Sequence, residues 1–296
     1  MNRLLFLYNP HAGKGQMKSK ISDFADCFTK AGWLVTIRPT QGRGDATDAA
    51  AALGEDFDRV VCCGGDGTLH EVANGLMRLT RRPPLGYIPA GTTNDFSQNL
   101  HLPRGLAARA ETAAAGVPRS VDAGRFNRSY FIYVAAFGAF TDVAYGTPQP
   151  FKNMFGHLAY LLEGATRLTS LQSSRLRVEH DGGTVEGDFL FGMVSNTVSV
   201  GGFRGLPSRK VKLDDGLFEA VLIRQPTNAA QLQSIVKALL QAGPDDSGTV
   251  LAFHTARLRV TCAQAVPWTL DGEFGGAHKT AEIENLPRTL TIIHGK

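Results

Sequence analysis

The chain has 296 residues, enough for one large or two ordinary domains that each bury a core. Hydrophobic content of 43% against 20% charged is that of an ordinary globular protein, and 31 basic against 27 acidic residues gives a mildly basic balance that admits an anionic partner without requiring one. No block of like charge or basic-aromatic interleaving points to nucleic acid, and Cys27, Cys62, Cys63 and Cys262 form no C-x-x-C pair, so they read as reduced, small hydrophobes of a cytoplasmic protein.

In chain order, Leu4–Tyr8 is an apolar run expected as a strand, ended by Asn9-Pro10-His11-Ala12-Gly13 and too short for a signal peptide. Ile21, Phe24, Ala25 and Phe28 recur at helical spacing up to Ala31-Gly32, and Val35–Arg38 is a second strand closing on Thr40. Asp45 to Leu53 is an alanine-rich helix. Val60–Cys63 then delivers Gly64-Gly65-Asp66-Gly67-Thr68 into a helix with Leu69, Val72, Ala73 and Leu76 on one face. Leu85–Pro89 is a fourth strand, followed by the turn Ala90-Gly91-Thr92-Thr93-Asn94-Asp95 and a helix over about Ala107 to Ala115. This order predicts an α/β domain, residues 1–121, with a parallel sheet covered on both faces. Turns at Gly13, Thr40, Gly65 and Thr92 all follow strands, so they are expected at one edge, where such sheets bind ligands.

The Gly64–Thr68 turn joins a strand to a helix N-terminus, which presents free N–H groups and the positive helix end to an anion such as nucleotide phosphate. It is neither G-x-G-x-x-G nor a Walker A loop. Asp66 would repel phosphate unless Mg²⁺, directly or through water, stands between them. Asn94 and Asp95 open a short helix and read either as an N-cap pair or as residues facing a substrate.

Beyond about Val121 the pattern changes to strands and hairpins: Arg175–His180, the Asp181-Gly182-Gly183 turn, Val185–Val194, Leu217–Ile223, Val250–Val260, Ala265–Leu270 and Thr289–Ile293, with helical patterns near Leu158–Leu168 and Leu232–Leu240. Residues 122–296 are therefore expected to form a β-rich, sandwich-like domain. The longest mostly apolar run, Phe131 to Phe140, is about half a membrane span, so membrane contact is expected to be peripheral.

Taken together, Asn9-Pro10-His11-Ala12-Gly13, Gly64-Gly65-Asp66-Gly67-Thr68 and Pro89-Ala90-Gly91-Thr92-Thr93-Asn94-Asp95-Phe96 resemble the catalytic domain of the diacylglycerol kinase family, which includes soluble bacterial lipid kinases and sphingosine kinases. Asp214-Asp215-Gly216-Leu217 and Asp271-Gly272-Glu273 extend the resemblance to nearly the whole chain. It implies an NAD kinase/diacylglycerol kinase-like fold and an ATP- and Mg²⁺-dependent transfer of phosphate to a lipid hydroxyl: diacylglycerol, phosphatidylglycerol or a sphingoid base.

By the same resemblance Gly65, Asp66, Gly67, Thr68, Leu69, His70 and Glu71 hold ATP phosphates and metal, Thr40 and Thr92 contact the nucleotide, and Asn9 to Gly13 lies alongside. Asp215 with the carbonyls of Lys212 and Leu217 matches a second Mg²⁺ site, although an Asp-Asp-Gly turn would look the same. Asp271 is the expected general base, lifted from the sheet by its glycine turn, with Glu273 on the Mg²⁺–phosphate side; a plain Asp-Gly hairpin is the alternative. The substrate would be met at a membrane surface through Phe203, Arg204, Leu206, Arg209 and Lys210. A homodimer stays open. The competing readings are an NAD kinase-like enzyme acting on a soluble dinucleotide and a catalytically silent lipid- or nucleotide-binding regulator.

Overall fold

The computed structural model describes residues 1–138, 172–197, 211–241 and 248–295. The Leu158–Leu168 pattern and the proposed membrane-facing residues Phe203, Arg204, Leu206, Arg209 and Lys210 lie outside the described residues. The chain forms two compact units, Met1–Ala123 with Pro287–Lys296, and Gly124–Leu286.

In the first unit β1 (Asn2–Tyr8) leads through a 3-10 helix, Gly13–Lys20, to α1 (Ile21–Lys30), followed by β2 (Trp33–Pro39) and α2 (Asp45–Leu53). Then come β3 (Arg59–Gly64), α3 (Asp66–Leu76), β4 (Leu85–Pro89), a 3-10 turn at Asp95–Asn99, and α4 (Leu106–Ala115). β1 pairs in parallel with β2 and β3, β3 pairs in parallel with β4, and Ile292 near the chain's end pairs in parallel with Leu85. Alternation along these strands sends Leu4, Phe6, Val61, Cys63 and Ile88 to one face, where they meet Phe24 and Phe28 of α1 and Ala110, Ala113 and Ala114 of α4. Phe6 meets Phe24 and Phe28 edge-on at 5.5 and 5.3 Å. The alternate residues Leu5, Leu7, Val60 and Cys62 are equally buried, as a sheet covered on both sides requires. α2 and α3 pack against each other, and a Cβ on Gly75 would stand 2.3 Å from Thr47 O; only glycine permits that crossing.

Arg59 closes the far end of α4. Its guanidinium donates to the carbonyls of Ala113 (3.2 Å) and Ala114, and it lies 5.0 Å from the Trp33 ring centre. Trp33 Nε1 also donates to Ala114 O at 3.1 Å.

β5 (Val117–Phe126) carries the chain into the second unit, which holds β6 (Ser129–Phe131), β7 (Val134–Gly138), β8 (Ser174–His180) and β9 (Gly183–Ser195). β10 (Phe218–Arg224), α5 (Ala229–Gln241), β11 (Val250–Thr255), β12 (Arg257–Leu270) and β13 (Glu273–His294) follow, the last returning to the first unit. The pairings β11–β10–β9–β7–β12–β13 are antiparallel, and β8 bridges β9 and β12. Their apolar cluster centres on Trp268, 5.0 Å from the ring of Phe126 and 4.8 Å from that of Phe137. The expected Val250–Val260 strand is two, broken at Ala256, where Asp181 Oδ2 accepts the N–H groups of Ala256 (2.6 Å) and Arg257 (3.3 Å). No helix among the described residues is long and apolar enough to cross a membrane.

His294 marks a cost built into the first unit. It is 3% exposed and neither ring nitrogen has a hydrogen-bond partner among the described residues. Burial first, then the charges of Arg119 and His101, hold its pKa down at about 4. The unfolded chain therefore takes up this proton first as pH falls below about 6.5, so stability present above that pH is lost progressively towards pH 4. Between about pH 7 and about pH 5 this residue should account for about 2 kcal/mol of lost stability. Urea unfolding of wild type and His294→Leu checks it: the variant should lose that share of the acid dependence, and identical pH slopes would rule it out.

Candidate active site

The sheet of the first unit brings its four strand-end turns together. Asn9 N donates to Cys63 O at 2.9 Å, and Asn9 Oδ1 accepts from His11 N at 2.9 Å, which folds the first turn over the end of β3. A Cβ on Gly13 would lie 3.6 Å from Ala90 O, so this turn also reaches the β4 turn. Thr40 N donates to Tyr8 O at 2.9 Å, and Asp45 closes the loop behind it by accepting from Gln41 N (3.0 Å) and Arg38 (2.6 Å).

The Gly65 and Gly91 turns meet backbone to backbone. A Cβ on Gly91 would stand 2.6 Å from Gly65 Cα and 2.9 Å from Asn94 Oδ1. Ala90 N donates to Gly64 O at 2.8 Å, and Asp95 N donates to Asp66 Oδ2 at 3.0 Å. Asn94 adopts a left-handed conformation with φ 50°, and its side chain turns back on Gly91, accepting from Gly91 N (2.9 Å) and donating to Gly91 O (2.7 Å). It makes no side-chain cap to the following 3-10 turn, so the N-cap reading of Asn94 is set aside: it is a staple of the Gly91 turn. Beneath it the buried Tyr87 hydroxyl lies 3.3 Å from Gly64 O and 3.2 Å from Asn94 Oδ1. Burial, reinforced by the Asp66 charge, keeps that phenol well above its ordinary pKa and so a donor.

α3 starts at Asp66 with Gly65 at its N-cap and no side chain capping it, so its first N–H groups face the junction of the two turns. These residues fit a nucleotide phosphate: the turns approach so closely that a Cβ would fill the space, and the helix end supplies donors. Three of the expected ligands have neighbours of their own. Leu69 is fully buried in the core, so only its backbone is available to a ligand. Glu71 faces α2, its Oε1 and Oε2 accepting from Gly44 N (2.8 Å) and Ala46 N (3.2 Å) at that helix's start, where a carboxylate offsets the helix dipole. His70 lies a turn before Asn74, whose amide stands 3.3 Å from His70 Nε2.

In the second unit one end of the antiparallel sheet gathers the remaining candidates. Val134, Ser195, Glu219 and His254 are successive register partners across β7, β9, β10 and β11. Asp271 joins this end, its N donating to Val134 O at 2.8 Å. Asp271 and Gly272 have φ of 51° and 85° between the paired residues Leu270 and Glu273, the form of a two-residue hairpin turn. The turn does not lift the Asp271 carboxylate out, contrary to the sequence expectation. The residue is 2% exposed, with Oδ2 accepting from Ile132 N (2.8 Å) and Oδ1 from Tyr133 N (2.9 Å) and Val134 N (3.0 Å). Those bonds fasten the backbone of Ile132 and Tyr133, which links β6 to β7, and of Val134, the first residue of β7. Glu273, the next carboxylate, is partly exposed.

The Lys212–Leu217 loop enters the same end. Asp215 Oδ1 accepts from Leu217 N at 3.1 Å around Gly216, whose φ is 79°, and Asn196 Nδ2 approaches Leu213 O at 3.5 Å. Glu219, which sequence reasoning passed over, is 5% exposed, and its Oε2 has no hydrogen-bond partner among the described residues. Burial, and then the Asp215 charge, push its carboxyl up to about 7. Asp215 and the orphaned Glu219 oxygen are carboxylate donors of the type a hard divalent ion takes. The signal was present in sequence: an acid between Phe218 and Ala220 in an otherwise apolar strand.

The chain thus joins a parallel sheet with close-packed glycine turns to an antiparallel unit with acidic turns. The comparisons then place it. Residues 3–126 match the diacylglycerol kinase catalytic domain, and residues 115–294 match the YegS C-terminal NAD kinase beta sandwich-like domain. A diacylglycerol kinase of Bacillus subtilis (strain 168) is 36% identical over 299 residues, covering 100% of this chain and 97% of that protein. One from Staphylococcus aureus (strain bovine RF122 / ET3-1) is 35% identical over 293 residues, covering 98% and 92%. A crystal structure of a diacylglycerol kinase from Bacillus anthracis str. Sterne superposes with a TM-score of 0.78 at 23% identity, covering 99% of this chain and 97% of that one. The chain belongs to the diacylglycerol kinase family, a family of lipid kinases.

Replacing Asp271 by Asn tests its anchoring role. The amide keeps one acceptor but turns an NH₂ towards backbone N–H groups, which should cost about 1–3 kcal/mol and lower the Tm by several degrees. An unchanged Tm would show that the Ile132–Val134 bend does not depend on this carboxylate.

Proposed function

We propose that the protein transfers the γ-phosphoryl group of ATP to the hydroxyl of diacylglycerol or a related membrane lipid. The observation that carries this is the backbone junction of Gly65 and Gly91 at the N-terminus of α3, with Asp66 bound into it. Gly65, Gly67, Thr68 and the backbone of Leu69 would hold the phosphates, with Thr40, Thr92 and the Asn9–Gly13 turn along the nucleotide. Asp66 would hold the nucleotide's Mg²⁺, through water where it does not reach directly, and Asp95 N fixes the orientation of its carboxylate. Mg²⁺, when bound, neutralises charge that builds on the phosphates during transfer.

The acceptor hydroxyl must lose a proton. We assign that proton to Glu273 rather than Asp271, because Asp271's oxygens are committed to three backbone donors and Glu273 is the carboxylate of the turn with access to solvent. Asp271 then acts as a positioning residue, holding Leu270–Glu273 and Ile132–Val134 in register. Asp215 with the carbonyls of Lys212 and Leu217 would hold a second divalent ion. The lipid would be met at a membrane surface by a peripherally bound, cytoplasmic enzyme.

The reading is tested by presenting Mg²⁺-ATP with vesicles of diacylglycerol, phosphatidylglycerol or sphingosine, and separately with NAD, and following phosphate into product. Transfer to a lipid, rising with anionic lipid and falling with salt as surface charges are screened, supports it. Transfer to NAD alone, or ATP binding with no acceptor turned over, contradicts it. Glu273→Gln should lower kcat by about 10²- to 10⁴-fold with the Tm unchanged. Asp66→Ala should lower activity by at least about 10²-fold in a folded protein; near wild-type activity in either variant would remove that residue from the mechanism.

A further inference from the structure

Glu219 takes no part in the phosphoryl transfer proposed above. It is the second residue of β10, two positions beyond Leu217, and its register partners Ser195 and His254 place it in the row at the sheet end that receives the Lys212–Leu217 loop. Phe218, Ala220 and Leu222 point into the apolar cluster, so Glu219 projects from the opposite face. Its side chain is 6% exposed, Oε2 has no hydrogen-bond partner among the described residues, and Oε1 stands 3.9 Å from the exposed His254 Nε2, beyond hydrogen-bond reach. A buried carboxyl in that state needs a proton, a water or a cation. Asp215 lies on the loop that leads directly into β10, so a cation held there would meet carboxylates from both the loop and the strand.

We propose that Glu219 is a further carboxylate of the divalent-cation site on the Lys212–Leu217 loop, facing the ion directly or through one of its waters. The proposal rests on the reading of that loop as a cation site. Mg²⁺ keeps several waters when protein-bound, so a carboxylate one water away still orients it, and outer partners of this kind change metal affinity by about 10- to 100-fold. A Glu219 that is merely protonated would behave differently: Gln copies the neutral acid and leaves ion binding untouched.

Thermal unfolding of the nucleotide-free full chain, titrated with Mg²⁺ against EDTA, separates these. Wild type should melt higher as Mg²⁺ rises, because an ion bound only by the folded state stabilises it. Glu219→Gln should need about 10-fold or more Mg²⁺ for the same shift, and Asp215→Asn should lose the shift. An undiminished response in Glu219→Gln with loss in Asp215→Asn overturns the role of Glu219 and leaves the loop site standing. No response in wild type, or an undiminished one in Asp215→Asn, overturns both. If Glu219→Gln does not fold, Glu219→Asp keeps the charge and shortens the reach; a Mg²⁺ response equal to wild type then overturns the proposal.

Discussion

The contact between the backbones of Gly65 and Gly91 is the constraint on which the turns of the first unit depend. Two turns from neighbouring parallel strands can come this close only without side chains, and the remaining bonds of the site preserve the approach. Ala90 N to Gly64 O extends the strand pairing into the turns, Asp66 takes Asp95 N, and Asn94 wraps the Gly91 peptide from both sides. Tyr87 sits beneath as a donor that burial keeps protonated. The uncapped start of α3 is left facing this junction, and a helix end without a side-chain cap invites an anionic ligand to supply the missing acceptor.

The second unit solves a different problem with the same kind of device. Between β6 and β7 the backbone bends at Ile132 and Tyr133, and Asp271 reaches across from its hairpin to take their N–H groups and that of Val134. A carboxylate buried for that purpose is a poor candidate to collect a substrate proton, whereas its neighbour Glu273 keeps access to solvent. The Lys212–Leu217 loop and Glu219 enter the same end of the sheet, within a few register positions of the Val134 that Asp271 holds.

Much of the first unit was legible because its signals are local. Leu4–Tyr8, Val60–Cys63 and Leu85–Pro89 are apolar runs closed by glycine or proline turns, and each is a strand within a residue or two. The convergence of the four turns also followed from strand order alone. The errors arose where a partner lies far away in sequence. Glu71 is a motif residue by position, but its partners Gly44 and Ala46 belong to another helix, and Asp271 looks the same whether its carboxylate points outwards or onto Ile132 N. β13 was seen only at Thr289–Ile293, because Gly275, Gly276 and Pro287 and its many polar residues hide a strand that begins at Glu273. Glu219 has a sequence signal, an acid between Phe218 and Ala220, but a single acid in a strand carries no motif spacing that names its role.

Gly91→Ala tests most directly whether the Gly65–Gly91 approach shapes the proposed phosphate site. Gly91 has no positive φ, so the new methyl brings no backbone strain of its own; it only wedges against Gly65 Cα at 2.6 Å and Asn94 Oδ1 at 2.9 Å. Calorimetric titration of the folded variant with Mg²⁺-ATP should show affinity lowered by about 10-fold or more, equivalent to at least about 1.4 kcal/mol, with a cooperative melting transition retained. Wild-type ATP affinity in Gly91→Ala would contradict the account.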